Sequence, residues 1–468
     1  MKSKLEAIYH KLPFFFQNLA ISAFGYYWFN RRFGGVFKQE LSATKRRAFL
    51  SAHEWKNWQE QSLRRLLRHA FQQVPYYRDL LKKMGLTEEV LAHFEIEHLP
   101  TLPILEKAIF REGCTSDFLS RTLEDNGTFL HTSGSTGTPL QIRYSLRMQQ
   151  QYAAIYEANV RNWAGVNWKT PRGVIGGRRV VPDGITSEPY YRYNFIEKQV
   201  YFSAYHISTE TAGNYVEGMK RYGIEYLEGY ASANYFLARF IEESGIQAPR
   251  LKAVLTSSEK LTPEMRDTFR RVYGCEAFDS YNGVDVCNLI SECEYHRLHI
   301  VPDAGILEIV NKEGKPCLPG ETGEIISTGL LNYDQPLIRY RVGDYVKLSV
   351  DQQCPCGRSM PVIDEIIGRI EDTVIGSDGR EMMRFHGITI NIPCIIESQV
   401  IQHELTRFEI KLVVSQQPIT DELATIRKRM FSQLGDIELD IQIVPSILRG
   451  PNGKFKAVIS HVSRNQAK

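Results

Sequence analysis

Thr132-Ser-Gly-Ser-Thr-Gly-Thr-Pro139 is the stretch around which the rest of the chain is organised. Every residue in it except Pro139 is glycine, serine or threonine, and the β-prone run Thr128–Thr132 leads into it. Glycines allow backbone N–H groups to converge because they tolerate positive φ and carry no side chain. Hydroxyl groups add further donors, and a concave cluster of donors binds phosphate. The stretch therefore predicts a phosphate-binding loop, with a polar surface loop as the alternative.

The residues after Gly137 distinguish this loop from the commonest phosphate loop. The Walker pattern ends in Gly-Lys-Ser/Thr. Here Gly137 is followed by Thr138-Pro139-Leu140. The sequence therefore indicates a different class of phosphate loop. The function of this loop has to be inferred from motifs elsewhere in the chain.

Composition restricts the fold and the classes of partner. A chain of 468 residues is too long for one compact core, so we expect two or three domains. It is 43% hydrophobic and 24% charged, as in ordinary globular proteins. Because 57 basic residues face 54 acidic ones, charge gives no reason to expect a nucleic-acid partner. Eight cysteines without an export signal indicate a reducing, cytoplasmic location, where clustered cysteines more often bind metal than form disulfides.

The N-terminal stretch from Leu12 to Phe33 is rich in aromatic residues and is followed closely by basic ones. It is interrupted by polar residues, so we predict no membrane span and no signal peptide. Two interpretations remain: an amphipathic helix packed on the main domain, which we favour, or an aromatic and basic face lying on a membrane surface.

Short strands, polar loops and helices alternate from residue 224 onwards. Tyr226–Tyr230, Ala253–Thr256 and Ala277–Tyr281 read as strands. One intervening helix has Thr262 as its N-cap, Pro263 at its first position and Gly274 just beyond its end. This alternation predicts an α/β fold with a mostly parallel sheet, in which ligands bind beyond the carboxyl ends of the strands. After residue 300, glycine-broken alternating runs suggest a β-subdomain, and the last hundred or so residues suggest a small α+β module.

Several motifs follow one another in an order that resembles the adenylate-forming superfamily, which includes acyl-CoA synthetases, adenylation domains and luciferases. The chain is most similar to its phenylacetate–CoA ligase-like branch, often associated with capsular and O-antigen polysaccharide biosynthesis. The motifs are Ser133–Pro139, Ser257–Glu259, Tyr281–Asp285, Arg339–Asp344, Gly368-Arg369 and Gly453-Lys454, with branch signs at His69-Ala70, Val74–Arg78, Leu102–Glu106 and Cys354–Arg358. The resemblance implies a large ATP- and carboxylate-binding domain over residues 1–369 and a small mobile lid over residues 370–468.

The resemblance also implies a two-step reaction. A carboxylate first attacks the α-phosphate of ATP, giving an acyl-adenylate and pyrophosphate. A second nucleophile, usually the thiol of CoA, then displaces AMP. Residues implied at the phosphates are Thr132, Ser133, Gly134, Ser135, Thr136 and Gly137.

Other residues acquire roles in ATP chemistry through the same resemblance. Asp344 corresponds to the aspartate that binds the ribose, and Arg369 to an arginine near ribose or phosphate. Lys454, in a glycine-rich turn, corresponds to the lysine that bridges the carboxylate and the α-phosphate, with Lys456 as runner-up. Arg339 and Arg341 remain ambiguous, because alternate residues of a strand face opposite sides.

The Tyr281–Asp285 motif departs from the family pattern. Asp285 stands where relatives usually have a glutamate that helps to hold Mg²⁺, and Asn282 replaces a glycine. Tyr281 is implied beside adenine, with a core tyrosine as the alternative. Ser258 and Glu259 are further ATP-site candidates, and Glu259 is a second candidate for the metal.

The acyl pocket and the hinge are also implied by the resemblance. His206 corresponds to a residue that borders the acyl group, with a core or surface histidine as the alternative. The residues implied at the pocket are Tyr205, Gly229, Tyr230 and Ser232. Glu371 and Asp372 compete for the hinge position before the lid.

Four residues outside these motifs suggest a metal centre. Cys354 and Cys356 lie on one tight turn, and Cys293 and His299 lie on another segment, with His296 between them. Three thiolates and one imidazole suit tetrahedral zinc, and a site filled by protein ligands is structural rather than catalytic. The alternative is a set of reduced cysteines without metal.

The sequence thus predicts an AMP-forming carboxylate ligase that uses ATP, Mg²⁺ and, by family default, CoA. An amine of a sugar or amino acid is the alternative acceptor, which would give an amide. The alternative from a different functional class is a non-catalytic scaffold that retains the fold. The sequence does not decide whether the chain forms a homodimer.

Overall fold

A computed structural model gives the architecture of the chain. It describes residues 8–112, 116–131, 140–182, 187–369, 374–376, 381–382, 388–389, 392, 394–415, 420–448 and 455–462. The chain forms two compact units. The first comprises Met1–Val342 and Val346–Ile366, and the second comprises Gly343–Tyr345 and Ile367–Lys468. The family resemblance implied that the large domain ends and the lid begins after residue 369. That position of the domain boundary stays a prediction.

A twelve-stranded sheet, counted over the described residues, dominates the first unit, and β1 (Thr128–His131) and β2 (Gln141–Tyr144) form a separate antiparallel hairpin. The order across the sheet is β11-β12-β13-β14-β10-β9-β8-β7-β6-β3-β5-β4. The strands are β3 (Arg172–Gly176), β4 (Tyr191–Asn194), β5 (Gln199–Ser203), β6 (Tyr226–Tyr230), β7 (Ala253–Ser257), β8 (Glu276–Tyr281), β9 (Ile290–Glu292), β10 (Leu298–Ile300), β11 (Gly305–Val310), β12 (Thr322–Gly329), β13 (Tyr340–Leu348) and β14 (Val362–Arg369).

The sheet has a parallel half and an antiparallel half. Strands β5, β3, β6, β7 and β8 run parallel, which confirms the prediction from the strand and helix alternation. Strand β9 pairs antiparallel with β8 and with β10. The runs predicted as a β-subdomain therefore continue the main sheet, because β9 and β10 connect them to its parallel half through hydrogen bonds.

Helices cover this sheet and build several apolar clusters with it. They are α1 (Phe14–Phe33), α2 (Phe37–Arg47), α3 (Ala52–Gln73), α4 (Pro75–Lys83), α5 (Glu88–Ala92), α6 (Lys107–Glu112), α7 (Leu146–Tyr156), α8 (Ala212–Arg221), α9 (Ala231–Glu243) and α10 (Pro263–Tyr273), with a 3₁₀ turn at Ile96–Thr101. Helix α3 begins in a capping box between Ser51 and Glu54 and ends before Pro75, because proline restricts the residue that precedes it. Its buried leucines pack against Ile306 and Leu330 of the antiparallel half.

Helices α10 and α7 end in different ways. Helix α10 has the predicted caps: the Thr262 side chain accepts from the backbone of Met265, and Gly274 adopts the left-handed conformation at φ 65°. Helix α7 ends at Tyr156, where a π-helical turn spans Glu157–Arg161. This turn is buried and carries an ion pair between Arg161 and Glu157 (3.5 Å). Single π-helical turns of this kind often lie near functional sites.

Helix α1 covers β4, which lies at one edge of the sheet. The Asn18 side chain accepts from the backbone of Tyr193 (2.9 Å), and the Ser22 hydroxyl accepts from the backbone of Phe195 (3.2 Å). Covering an edge strand hides backbone groups that could otherwise pair with another chain. The helix thus packs on the first unit, as favoured from sequence. None of the helices in the described ranges combines the length and the hydropathy that crossing a bilayer requires.

The second unit contains a small four-stranded sheet in the order β19-β18-β17-β20. Its elements are β15 (Val374–Ile375), β16 (Glu381–Met382), β17 (Ile395–Gln402), β18 (Arg407–Val414), α11 (Thr420–Leu434), β19 (Glu438–Ile443) and β20 (Val458–Ser460). Helix α11 connects the parallel strands β18 and β19 and buries Ile426, Met430 and Leu434, whose spacing of four residues puts them on one face. This unit is the small α+β module expected from sequence.

Candidate functional site

The ends of the parallel strands lie in one row, which we call the rim: Gly176, Ser203, Tyr230, Ser257 and Ser280. Hydrogen-bonded register pairs Gly176 with Ser203, and Tyr230 with Ser257, which in turn pairs with Ser280. The loops that follow these strands therefore emerge at the same edge of the sheet. In open α/β sheets this edge is where ligands bind.

Glu259 connects two groups of residues that the sequence assigned to different parts of the site. Its carboxylate accepts from the backbone N–H of Ser232 (2.8 Å) and from the Ser232 hydroxyl (2.6 Å). Ser232 lies in the first turn of α9, where a negative charge is favoured by the helix dipole. Glu259 thus fixes the start of α9 at the rim. Ser258 beside it has φ 69°, and a non-glycine residue in this region is strained in the way often seen at functional sites.

Tyr205, His206 and Tyr230 gather at the same edge. His206 Nδ1 lies 2.8 Å from the Ser203 hydroxyl, and its ring stacks on Tyr190 with centroids 4.8 Å apart. Tyr205 donates to the carbonyl of Gly177 (3.4 Å). Burial, followed by the nearby Glu259 carboxylate, raises the pKa of Tyr230 to about 12, so its hydroxyl stays protonated at neutral pH. The arrangement is an aromatic wall with hydroxyl and imidazole donors.

Gly229 has a structural reason to be glycine. Its φ is 145°, and a Cβ atom at this position would lie 1.9 Å from the carbonyl oxygen of Ile175 on β3. Strand β6 therefore approaches β3 more closely than any side chain allows. This close approach sets the position of Tyr230 at the rim.

Asp285 lies in the loop after β8 and is mostly buried. The neighbouring Val286 has φ 53°, and Tyr144 of β2 donates to the carbonyl of Val284 (2.6 Å). Strand β2 follows the segment 132–139, so the hairpin that flanks this segment contacts the Asp285 loop. Magnesium in nucleotide enzymes is bound by one or two carboxylates together with substrate phosphates, and Asp285 fits that requirement. Burial and then the Asp285 carboxylate raise the pKa of the Cys287 thiol.

Some of the other residues predicted at the ATP site lie in the described part of the chain, and some lie outside it. Tyr281 ends β8 and packs against the hydrophobic core, and Asn282 beside it is half-buried. Asp344 is buried on β13, within the residues assigned to the second unit. The phosphate loop Thr132–Gly137, the hinge pair Glu371 and Asp372, and Lys454 lie outside the described residues, as does the side chain of Arg369.

Arg339, just before β13, and Arg341, on β13, both form ion pairs within the first unit. Arg339 pairs with Glu308 through two hydrogen bonds of 2.9 Å and also donates to the carbonyl of Pro100. Arg341 pairs with Glu106 (2.9 Å) and Glu324. Both therefore hold strands and loops together.

The sequence analysis did not predict an ionic cluster that lies next to the rim. Arg161 of the π-helical turn lies 3.0 Å from Glu228, the residue before Gly229, and Tyr156 donates to Glu228 (3.2 Å). Tyr190, which stacks on His206, was missed as well. These partners are far apart in the chain, and no local pattern could have indicated the pairing.

The four predicted metal ligands come together. Their ligand atoms all lie within 4.8 Å of one another, with Cys293 Sγ 3.7 Å from Cys354 Sγ and Cys356 Sγ 3.5 Å from His299 Nε2. Tetrahedral zinc with Zn–S of about 2.3 Å and Zn–N of about 2.0 Å separates neighbouring ligands by roughly 3.5–3.8 Å. The other ring nitrogen of His299 lies 3.2 Å from the carbonyl of Met360, which orients the ring. The donor set therefore fits zinc.

His296 is excluded from this cluster. It lies between Glu292 (2.6 Å) and Glu276 (3.5 Å) on a turn where its own φ is 57°. Within the part of the chain that the structure describes, the seven cysteines form no disulfide.

Comparison with known proteins provides independent information. Residues 380–461 match the family model of the CapK C-terminal domain. The chain is 24% identical to Protein CapK of Staphylococcus aureus over 98% of this chain and 100% of that protein. It is 24% identical to a phenylacetate–coenzyme A ligase of Thermus thermophilus over 86% of this chain and 95% of that protein.

Solved structures support the same fold. A 2-hydroxyisobutyryl-CoA ligase in the postadenylation state superimposes with a TM-score of 0.67 at 18% identity, covering 89% of this chain and 91% of that chain. This likeness confirms the predicted fold class. Together with the two relatives, it confirms the resemblance inferred from the order of the motifs.

Proposed function

We infer the activity of this chain from its family, because it belongs to the adenylate-forming superfamily, in the phenylacetate–CoA ligase-like branch of AMP-forming carboxylate ligases. We propose that it activates a small carboxylate with ATP and transfers the acyl group to CoA. The observation that carries the proposal is the rim, where the loops after β5, β6, β7 and β8 bring together predicted substrate and nucleotide residues.

In the first step, a carboxylate oxygen forms a bond to the α-phosphorus of ATP while the bond to pyrophosphate breaks. Ser133–Gly137 would hold the departing β- and γ-phosphates, and Lys454 would offset the charge that develops between carboxylate and α-phosphate. Asp344 would hold the ribose. Mg²⁺, which neutralises phosphate charge during transfer, would bind through Asp285.

In the second step, the CoA thiol attacks the acyl carbonyl and AMP leaves. The proposal includes rotation of the lid about Glu371 or Asp372 between the two steps, with Arg369 near the nucleotide. Tyr205, His206, Tyr230 and Ser232 would border the acyl group. Their aromatic and hydroxyl character suits a small, partly apolar acid.

We also propose a role in polysaccharide biosynthesis, which the resemblance to this branch of the superfamily implies. Relatedness to Protein CapK over nearly the whole of both chains agrees with that placement in the branch. Transfer to an amine of a sugar or amino acid is the alternative second step. It would use the same first step and would differ only in the group that displaces AMP.

We also propose that Cys293, His299, Cys354 and Cys356 hold one structural zinc ion. All four positions of a tetrahedron would be filled by protein, so the ion would leave no site open for substrate. It would link the turn after β9 to the segment before β14. Protein purified without chelator should contain one zinc per chain, and absence of stoichiometric metal would show that the four groups are unliganded.

Pyrophosphate exchange tests the proposed first step. Radiolabelled pyrophosphate should enter ATP only when a suitable carboxylate is present, and a panel should include aromatic, hydroxylated and sugar acids. Adding CoA to the active acid should release AMP and form a thioester, whereas release only with an amine would identify the amide ligase. Nucleotide binding without exchange for any acid would favour the non-catalytic scaffold.

A further inference from the structure

Helix α1 carries an exposed aromatic face that neither its packing on β4 nor the proposed chemistry explains. The face consists of Phe15, Phe16, Leu19, Phe24, Tyr26 and Tyr27, which we call the aromatic face. Each of these residues is between 41% and 64% exposed. At 100° per residue they lie within one half of the helix circumference, together with the small or polar residues Ala20, Ala23 and Asn30, which are also exposed.

Contacts on the opposite side of α1 hold the helix so that the aromatic face stays exposed. Asn18 and Ser22 bind the backbone of residues 193 and 195. A Cβ atom on Gly25 would lie 2.2 Å from the Asn194 side chain, so the helix backbone sits directly on β4. At the far end, buried Arg31 donates to Gln149 (2.8 Å). The helix cannot roll to bury its aromatic residues without breaking these contacts.

Charge is distributed unusually around the aromatic face. No charged residue occurs between Lys11 and Arg31, and no acidic residue occurs between positions 7 and 39. Exposed lysines lie on either side, at Lys11 and Lys38. Helices exposed to water normally place charged residues on the outer side. A face that has aromatic residues instead, flanked by basic residues and without acids, complements an anionic lipid surface.

The size of the aromatic face favours a lipid surface over a second copy of the chain. At roughly 200 Å² for an aromatic side chain, the exposed fractions amount to about 600 Å², the upper end of what a monomer usually exposes in one patch. Two identical helices cross at an angle and touch only near the crossing point. They would therefore bury much less than the ~800 Å² per partner of a stable interface. A fluid bilayer can contact the whole length of the face.

We propose that α1 binds this protein peripherally to the surface of a bilayer that contains anionic phospholipid. The phenyl and phenol rings enter the boundary between headgroups and acyl chains, and the helix axis lies parallel to the surface. The interaction involves no step of the proposed ligase reaction. Its test therefore stands apart from any test of carboxylate activation.

Vesicle flotation with the full chain tests the proposal, using 3:1 phosphatidylcholine and phosphatidylglycerol without nucleotide. The wild-type chain should float with the vesicles, and F16S/F24S should lower the partition coefficient at least tenfold. The matched control is L318S/V350S, which removes two exposed apolar side chains elsewhere on the first unit and should leave partitioning unchanged. Thermal unfolding should be alike for all three chains, because the altered side chains are exposed.

Three outcomes would overturn the proposal. They are absence of wild-type flotation, equal flotation of F16S/F24S, and an equal loss in the L318S/V350S control. Light scattering in the absence of lipid adds a further comparison. A wild-type dimer that F16S/F24S converts to a monomer, without vesicle binding, would assign the aromatic face to self-association instead.

Discussion

The Cys293–Cys356 cluster and the rim are both built from segments distant in sequence, yet they differ in how they are enclosed. Cys293 and His299 are fully buried, and the ligand atoms of the four side chains lie within 4.8 Å of one another. The rim is an edge of the sheet from which five loops emerge, with strained backbone at Ser258 in one of them. A closed set of groups can stabilise the fold, whereas an open edge can receive a ligand and change during a reaction.

The largest expected effect tests the chemistry assigned to the open site. Lys454→Ala should slow pyrophosphate exchange about 1,000-fold, or ~4 kcal/mol, because it removes a charge that acts on the transition state. ATP affinity, measured by calorimetry, should change less than threefold. Lys456→Ala is the matched control, and its exposed side chain should be dispensable. Equal loss of binding and exchange in Lys454→Ala would contradict the role.

The second prediction tests whether the cluster is structural. Cys354→Ser should lower the free energy of unfolding by about 3 kcal/mol, because a structural metal contributes its binding energy to folding. Exchange activity per folded molecule should be unchanged. Chemical denaturation together with zinc analysis measures both, and Cys317→Ser is the control outside the cluster. If Cys354→Ser is as stable as the unchanged chain and neither variant binds zinc, the cluster does not stabilise the fold through a metal ion.

The third prediction tests the close strand approach that shapes the rim. Gly229→Ala should lower the free energy of unfolding by about 2 kcal/mol or more, since the new Cβ atom collides with the Ile175 carbonyl. Gly176→Ala, on the adjacent strand, meets nothing within 4 Å and should be nearly neutral. Urea denaturation of both variants is the measurement. Equal stabilities would show that β6 and β3 have more room than this geometry allows.

The smallest expected effect concerns the metal position in the open site. Asp285→Asn should reduce exchange about 10-fold at limiting Mg²⁺, or ~1.4 kcal/mol, and shift the Mg²⁺ titration to higher concentration. Asp285→Glu restores the residue usual in the family and should retain most activity. Loss of activity with an unchanged Mg²⁺ midpoint in Asp285→Asn would assign the carboxylate a role apart from metal.

Local sequence determined much of the fold. The Thr262, Pro263 and Gly274 signals fixed α10 because capping and turn preferences act within a few residues. The alternation of strands and helices predicted the parallel strands and hence the meeting of loops at the rim. The order of motifs identified the superfamily, and the residue types of the cysteine and histidine cluster indicated which four groups would come together.

Tertiary structure alone decided how distant groups pair. It joined Glu259 to Ser232, Arg161 to Glu228, and Arg339 to Glu308. The tertiary structure also shows that the strands predicted as a β-subdomain belong to the main sheet. In addition, His296 lies outside the cysteine and histidine cluster, and one face of α1 is exposed. Apart from the pairing of His296 with Glu292, these outcomes depend on contacts between residues that are tens to hundreds of positions apart. Sequence patterns report neighbours along the chain, whereas burial, charge pairing and backbone approach are properties of the packed molecule.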